Sequence, residues 1–370
     1  MDKASLNAEK RFEIPGDIFR CLIKEDKASY SFSAQLINKS DVDLVHLQHE
    51  YGLFGGMFGC HIVGLVEKLR KPMVVTFHSV KPNPSIRLKK VTNTVAGKAE
   101  AVIVHTKSGA ELLTTYYEVD EGRVHIIPHG SPETSQRIVD MTCLPGELKV
   151  LGHHPILLNF GLIRPSKGLE YAVKALTLVK EKHPDVLLLI AGQTHPSQLM
   201  VAGEKYRRKL IKLAEKMGVK ENVRFINRFL DEGEIVKCLM ISDFYVIPYT
   251  GQEQISSGTL AYALGCGKTV ISTPFRHAVE VLLDEPPHLN EILKIRRALF
   301  GRRGVLVPFK DEKALAEAIL TLMEDEDLRK SIEKEALKYA FNTSWRKVGE
   351  RHLNLYRNVL CVEAAAPVNI

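Results

Sequence analysis

Short apolar runs alternate with longer amphipathic stretches along most of this chain. The runs 44–47, 73–77, 101–105 and 124–127, then 156–160, 186–191, 223–226, 244–247, 269–272 and 304–307, are short and rich in apolar residues, and 244–247 is apolar at every position rather than at every second one. Strands covered on both faces read this way, and such strands belong to parallel sheets. Apolar residues at helical spacing predict helices over 14–21, 30–37, 62–69, 109–117, 170–182, 204–217, 232–240, 313–324, 327–340 and 345–359. Strands and helices in alternation predict an α/β fold of doubly wound sheets. The pattern decays between Ser131 and Pro155. That break divides the chain into domains 1–150 and 151–340, with 341–370 as a C-terminal helix packing back toward the first.

The stretch 243–274 carries the most information. Its strand ends at Pro248; Ser256 and Ser257 can cap a helix, and Gly258 lets a ligand approach the backbone before Leu260, Ala261 and Leu264 begin an apolar face. The open amides and positive dipole end of such a helix favour an anion. Arg164 and Lys167, in the run Gly161-Leu162-Ile163-Arg164-Pro165-Ser166-Lys167-Gly168, bring two fixed positive charges to the corresponding strand-to-helix edge. Two cations and an anion-binding helix suit a diphosphate. An ordinary βαβ unit with a capped helix accounts for the 243–274 stretch equally well. In the first half, a polar, then glycine-rich loop from Gln48 through His49, Glu50, Gly55 and Gly56 follows a strand, at the edge where α/β folds bind ligands. His78 follows the strand 73–77, where it can bond a ligand hydroxyl or serve only the fold.

Composition narrows the class. The chain has 370 residues, 45% of them hydrophobic and 26% charged, which suits a globular protein of about two domains. No stretch approaches the roughly 20 apolar residues of a membrane span, and the first residues lack a signal peptide's apolar core, so a cytoplasmic protein is expected. The six cysteines are scattered without a CxxC pair, which predicts reduced thiols and no metal site. The net charge of +7 has no nucleic-acid motif to go with it. Within 292–303, Lys294, Arg296, Arg297, Arg302 and Arg303 interleave with Ile292, Leu293, Ile295, Leu299 and Phe300. This reads either as peripheral contact with an anionic membrane or as the solvated face of an insertion covering 285–303.

Three elements in this order, 160–168, the strand 244–247 with the helix inside 254–267, and Ile127-Pro128-His129-Gly130 between the halves, resemble the retaining glycosyltransferases of family 4. The resemblance implies the GT-B fold, two facing Rossmann-like domains with a cleft between them. It implies transfer of a hexose, mannose or glucose, from a nucleotide diphosphate sugar to a saccharide, lipid or other hydroxyl acceptor, with anomeric retention, no metal and no cofactor beyond the nucleotide sugar. By the same resemblance His78, Arg164 and Lys167 are catalytic; Gly161, Gln254, Ser257, Gly258, Thr259 and Tyr262 bind the donor; and His49, Glu50, Gly55 and Gly56 face the acceptor. The family's two glutamates, eight positions apart, align with Gln254 and Tyr262, and a tyrosine cannot offer a ribose a bidentate carboxylate. The first strand and glycine-rich loop of the family's N-terminal domain have no counterpart here, so that domain is expected to be incomplete. A protein that binds a nucleotide sugar but has lost turnover is the alternative expectation.

Overall fold

The computed structural model describes residues 18–133, 154–283 and 289–360. It has two compact units: one ends at Pro128 and takes up the chain again at Gly349, and the other runs from His129 to Val348.

In the first unit the described elements are α1 (Lys27–Lys39), β1 (Val45–His49), a 3₁₀ segment Met57–Ile62 leading into the short helix α2 (Val63–Val66), β2 (Met73–Phe77), α3 (Ile86–Lys98), β3 (Ala101–Val104), α4 (Lys107–Tyr117) and β4 (Val124–Ile126). The strands pair in the order β1-β2-β3-β4, all parallel. β2 and β3 are buried at every position, as continuous apolar runs require. Two helix expectations differ from the structure. Residues 18–21, the described part of 14–21, are not helical, and Ile18 and Phe19 are exposed. The 62–69 helix shrinks to α2, which follows a segment with positive φ at Phe58 and Gly59 and gives way to a turn at 67–68.

The second unit holds β5 (Ile156–Phe160), α5 (Leu169–Lys182), β6 (Leu187–Ala191), α6 (Pro196–Ala202), α7 (Lys205–Lys216), β7 (Val223–Ile226), α8 (Glu232–Ile241), β8 (Phe244–Ile247), α9 (Gly258–Gly265), β9 (Thr269–Ser272), α10 (Arg276–Leu282), α11 (Leu289–Ile292), β10 (Leu299–Gly301), β11 (Gly304–Leu306), α12 (Glu312–Glu324) and α13 (Glu326–Phe341). Helix α14 (Trp345–Val359) follows and crosses the boundary at Val348. The sheet order is β10-β11-β9-β8-β5-β6-β7, parallel except for β10 against β11. Because successive side chains point to opposite faces, the central strands feed two cores. Leu157, Phe244 and Val246 join one; Leu158, Phe160, Tyr245 and Ile247 join the other.

The basic stretch 292–303 is corrected by its packing. Ile292 is buried, and Ile295 and Leu299 pack on the same core. Arg303 donates to the carbonyl oxygens of Val281 and Leu283, and Arg302 pairs with Glu335. Ile292, Ile295 and Leu299 turn inward although Phe300 is exposed, and the stretch passes from a short helix ending at Ile292 into β10, so it is no membrane-lying helix; residues 285–288 of the expected insertion lie outside the described residues. No helix among the described residues is long and apolar enough to cross a membrane.

Capping chemistry marks the helix starts. At α8 the Asp231 carboxylate accepts from the Glu234 amide at 2.8 Å, and the Glu234 side chain accepts from the Asp231 amide at 3.0 Å. Replacing Asp231 by Ala is expected to lower stability by about 1 kcal/mol. The midpoint of urea unfolding reads it, and an unchanged midpoint would mean the box contributes nothing.

Candidate donor-binding site

Strands β5 and β8 are neighbours at the centre of the larger sheet, with Leu157 opposite Phe244 and Leu158 opposite Tyr245. From β5 the chain winds through α5 to β6 on one side; from β8 it winds through α9 to β9 on the other. Ligands in open α/β sheets bind where the winding reverses in this way, beyond the carboxyl ends of the strands. The 161–168 loop leaves β5 there, and the loop leading to α9 leaves β8 beside it.

Lys167 joins the two loops. Its Nζ lies 2.5 Å from the Tyr249 hydroxyl and 4.3 Å from the centroid of the Tyr249 ring. Tyr249 also lies 3.5 Å from Thr259 Oγ1, which is 3.3 Å from Ser257 Oγ. Gly161 closes the circle: a Cβ there would stand 3.5 Å from the Thr259 methyl and 3.8 Å from Lys167 Nζ. Burial by itself would raise the Tyr249 pKa, but the Lys167 charge and hydrogen bond outweigh it and hold the phenol below its ordinary value. In the same core, burial and then the nearby Tyr249 keep Tyr245 well above that value.

Arg164 is extended and exposed, and among the described residues neither it nor Lys167 pairs with a carboxylate. A second loop runs beside it. Ile163 bridges Thr194 in parallel register, through Ile163 N to Gln193 O and His195 N to Ile163 O, both 2.9 Å. Arg207, buried in α7, fixes that loop by donating to Gly192 O at 3.1 Å, Thr194 Oγ1 at 3.3 Å and Glu204 Oε2 at 2.9 Å. His195 caps α6 by accepting on Nδ1 from the Ser197 amide. Burial, then the charges of Arg164 and Lys167, hold its pKa below the ordinary histidine value.

At the start of α9, Ser257 is the N-cap, accepting on Oγ from Leu260 N at 3.4 Å. Its own amide is not open to an anion, because it donates to His277 Nδ1 at 2.7 Å. The amides of Gly258 and Thr259 have no acceptor among the described residues. Gly258 faces His129, whose Nε2 would lie 2.8 Å from any Cβ added there. His129 Nδ1 lies 2.8 Å from Gly130 O, and burial lowers its pKa.

Gly161, Lys167, Ser257, Gly258 and Thr259 therefore meet in one place, with Arg164 on the same loop. Gln254 stands in the loop before α9, its Nε2 bonding Ser256 O at 2.7 Å. Tyr262 lies on α9, but its hydroxyl donates to Glu232 at 3.2 Å, on the side toward α8.

In the first unit His78 follows β2. Its Nε2 lies 2.8 Å from Gln48 Oε1, and its ring lies 5.1 Å from that of His105. Glu50 accepts from Ser79 Oγ at 2.5 Å. His49 does not face an acceptor. It is fully buried among Tyr51, Phe54 and Phe77, neither ring nitrogen has a partner among the described residues, and burial followed by the His78 charge lowers its pKa to about 4. His49 is the buried last residue of β1, next to the exposed Gln48, so strand alternation turns inward a polar residue expected at an exposed edge. Gly55 presses on Lys24 O, leaving no space for a Cβ, and its amide bonds the Tyr30 hydroxyl. Gly56 takes positive φ beside Cys60 and His61. Packing alone accounts for both glycines.

The sequence by itself points to no role for Tyr249, for His277 or for His195, although His195 stands in the loop Ala191-Gly192-Gln193-Thr194-His195-Pro196 that shares in the family resemblance. Tyr249 follows Pro248 directly, at a strand end, which was the available signal. His277 lies 20 positions from the Ser257 it bonds, and His195 lies 32 from the Ile163 it bonds, so no local spacing connects them.

A family model described as "Glycosyl transferases group 1" matches residues 145–339, and one described as "Glycosyltransferase Family 4" matches residues 5–133. A D-inositol 3-phosphate glycosyltransferase of Corynebacterium glutamicum is 21% identical over 268 residues, 72% of this chain and 59% of that protein. A phosphatidyl-myo-inositol mannosyltransferase of Propionibacterium freudenreichii is 24% identical over 289 residues, 77% of this chain and 64% of that one. The chain thus spans less than two thirds of the length of these two relatives. Among solved structures, Anabaena Alr3699/HepE in complex with UDP and glucose superposes with a TM-score of 0.74 at 17% identity, covering 97% of this chain and 90% of that one. A glycosyltransferase from Rickettsia africae gives 0.68 at 19%, covering 98% and 89%. These likenesses identify the fold as GT-B.

Proposed function

Since this chain belongs to the glycosyl transferases group 1 family, we propose that it moves a hexosyl group from a nucleotide diphosphate sugar to a hydroxyl acceptor, with anomeric retention and without a bound metal. The observation that carries this reading is the pair of cations, Arg164 and Lys167, with no carboxylate partner among the described residues, beside the open amides of Gly258 and Thr259. Cations left without anions at a switch point suit an anionic ligand. The diphosphate group of a nucleotide sugar suits two such cations and a helix start.

The chemistry follows from where charge develops. The bond between the sugar's anomeric carbon and the diphosphate oxygen breaks, the acceptor oxygen bonds that carbon on the same face, and the acceptor's proton passes to the departing diphosphate. Negative charge grows on the leaving oxygens, so fixed positive groups aimed at them lower the barrier without a nucleophilic carboxylate. Arg164, Lys167 and the two amides take that role; Gly161 leaves space beside the phosphates. Gln254 takes a hydroxyl of the donor. His78 we assign to the sugar and acceptor hydroxyls, with Glu50 holding Ser79 beside it. Tyr262, bonded to Glu232, supports α9 rather than replacing a ribose-binding carboxylate. The names of two similar proteins, a mannosyltransferase and one in complex with UDP and glucose, support mannose and glucose as the sugars and uridine diphosphate as a nucleotide to try first.

Calorimetric titration with UDP, GDP, UDP-glucose and GDP-mannose, followed by a donor-hydrolysis assay with the tightest binder, tests the reading. Binding with slow sugar release is expected. Binding without release would point to a chain that holds the nucleotide sugar and does not turn it over, and no binding at all would overturn the assignment.

A further inference from the structure

His195 has a place that its capping role does not explain. Ile163 and Thr194, the bridged pair, are both buried. One position on, across the same parallel register, stand Arg164 and His195, which by the alternation of extended chains project together from the opposite face. Lys167 lies close enough for its charge, with that of Arg164, to act on the imidazole. The tautomer is set by the cap. Nδ1 accepts from the Ser197 amide at 3.2 Å and lies 2.8 Å from Ser197 Oγ, so Nε2 carries the proton in the neutral ring, and no acceptor for it is found among the described residues. A neutral histidine held beside two unpaired cations is a donor awaiting an anion.

We infer that His195 is a further ligand of the donor's diphosphate and takes up a proton when that diphosphate binds. This rests on the reading of Arg164 and Lys167 as the diphosphate site. The two cations disfavour the imidazolium in the free protein; a bound diphosphate neutralises them and adds its own negative charge, so the proton becomes favourable on the ring. It comes from solvent and enters at Nδ1, the nitrogen with the lone pair. Ser197 Oγ, already 2.8 Å away, turns from donor to acceptor, the Ser197 amide gives up its bond to Nδ1, and Nε2–H faces the phosphate. Glu204, the N-cap of α7, and Arg207 on α7 are bonded to each other and to Thr194.

The sign follows from linkage. A group whose pKa rises on binding makes the ligand bind more tightly as pH falls. The probe is a nucleotide sugar rather than a free nucleotide, because its diphosphate is a diester whose own ionisations are complete at the acid end of the range. UDP-glucose and GDP-mannose are titrated by calorimetry at about pH 6 and about pH 8, the span over which histidine changes charge, into the wild type and into His195→Asn. Asparagine keeps the cap of α6 and cannot titrate. The wild type is expected to bind roughly tenfold more tightly at the lower pH, with measurable proton uptake; the variant is expected to bind more weakly, with a flat profile. Wild-type binding without pH dependence, or an equal dependence in the variant, overturns the inference and leaves Arg164 and Lys167 untouched. Failure of the wild type to bind either sugar nucleotide overturns both readings.

Discussion

Lys167→Ala is expected to lower sugar release from the donor by roughly 100-fold or more, with a smaller loss in donor affinity. Lys167 Nζ is tied to Tyr249 rather than to a carboxylate, so its full charge is available to an incoming diphosphate. That charge acts most strongly on the oxygens that gain negative charge as the sugar leaves, and so on turnover more than on binding. The fold is expected to survive, because the Tyr249 hydroxyl keeps Thr259 within reach, its ring stays stacked on Phe275, and Lys167 adds no core packing. Single-turnover donor hydrolysis at saturating nucleotide sugar separates the two effects. A rate within a few-fold of wild type would remove Lys167 from the site, whatever the affinity did.

The second large effect is expected at Gly192, which has φ +141, a conformation that side chains with a Cβ rarely adopt. An added Cβ there would overlap the Gly161 carbonyl oxygen, and that is backbone, which has no rotamer to move away. Both glycines are already fixed, Gly192 N to Ile226 O at 2.8 Å and Gly161 N to Ala191 O at 2.9 Å. Gly192→Ala must therefore push apart the two loops that carry Lys167 and His195. We expect a loss of about 3 kcal/mol in stability, seen as a lowered urea midpoint, together with loss of donor binding in the fraction that remains folded. Unchanged stability with normal binding would mean that the loops are far more compliant than their hydrogen bonds indicate.

Much of the architecture was legible from the residues because its cause is local. A continuous run of apolar residues between turn formers has few alternatives to a strand buried on both faces, and β2, β5, β8 and β9, buried at every position, fall on the expected residues, as does the partly buried edge strand β7. Helix α3 shows the limit of such reading. Leu88, Val91 and Val95 lie on one face and are buried, but the lysines, threonines and asparagine between them dilute the pattern, and the sequence reading passed it over. At the start of the described chain the opposite holds: a helix is expected over 14–21, but its described part, 18–21, is not helical and leaves Ile18 and Phe19 exposed.

Residue type and spacing along the chain determined the strands, the cap at Ser257, the glycine-rich turn after β5 and the positions of Arg164 and Lys167. Tertiary structure decided which groups are free to act. The Ser257 amide is consumed by His277, twenty residues on, and Lys167 meets Tyr249 across eighty-two. His49 is swallowed by an aromatic cluster, and Tyr262 is drawn off by Glu232. His195 comes to Arg164 only because two loops pair across a bridge. Local pattern sets what a segment can form, because backbone conformation and burial periodicity are short-range. Whether a polar atom is open to a ligand depends on which distant donor or acceptor reaches it first, and only the packed fold sets those distances.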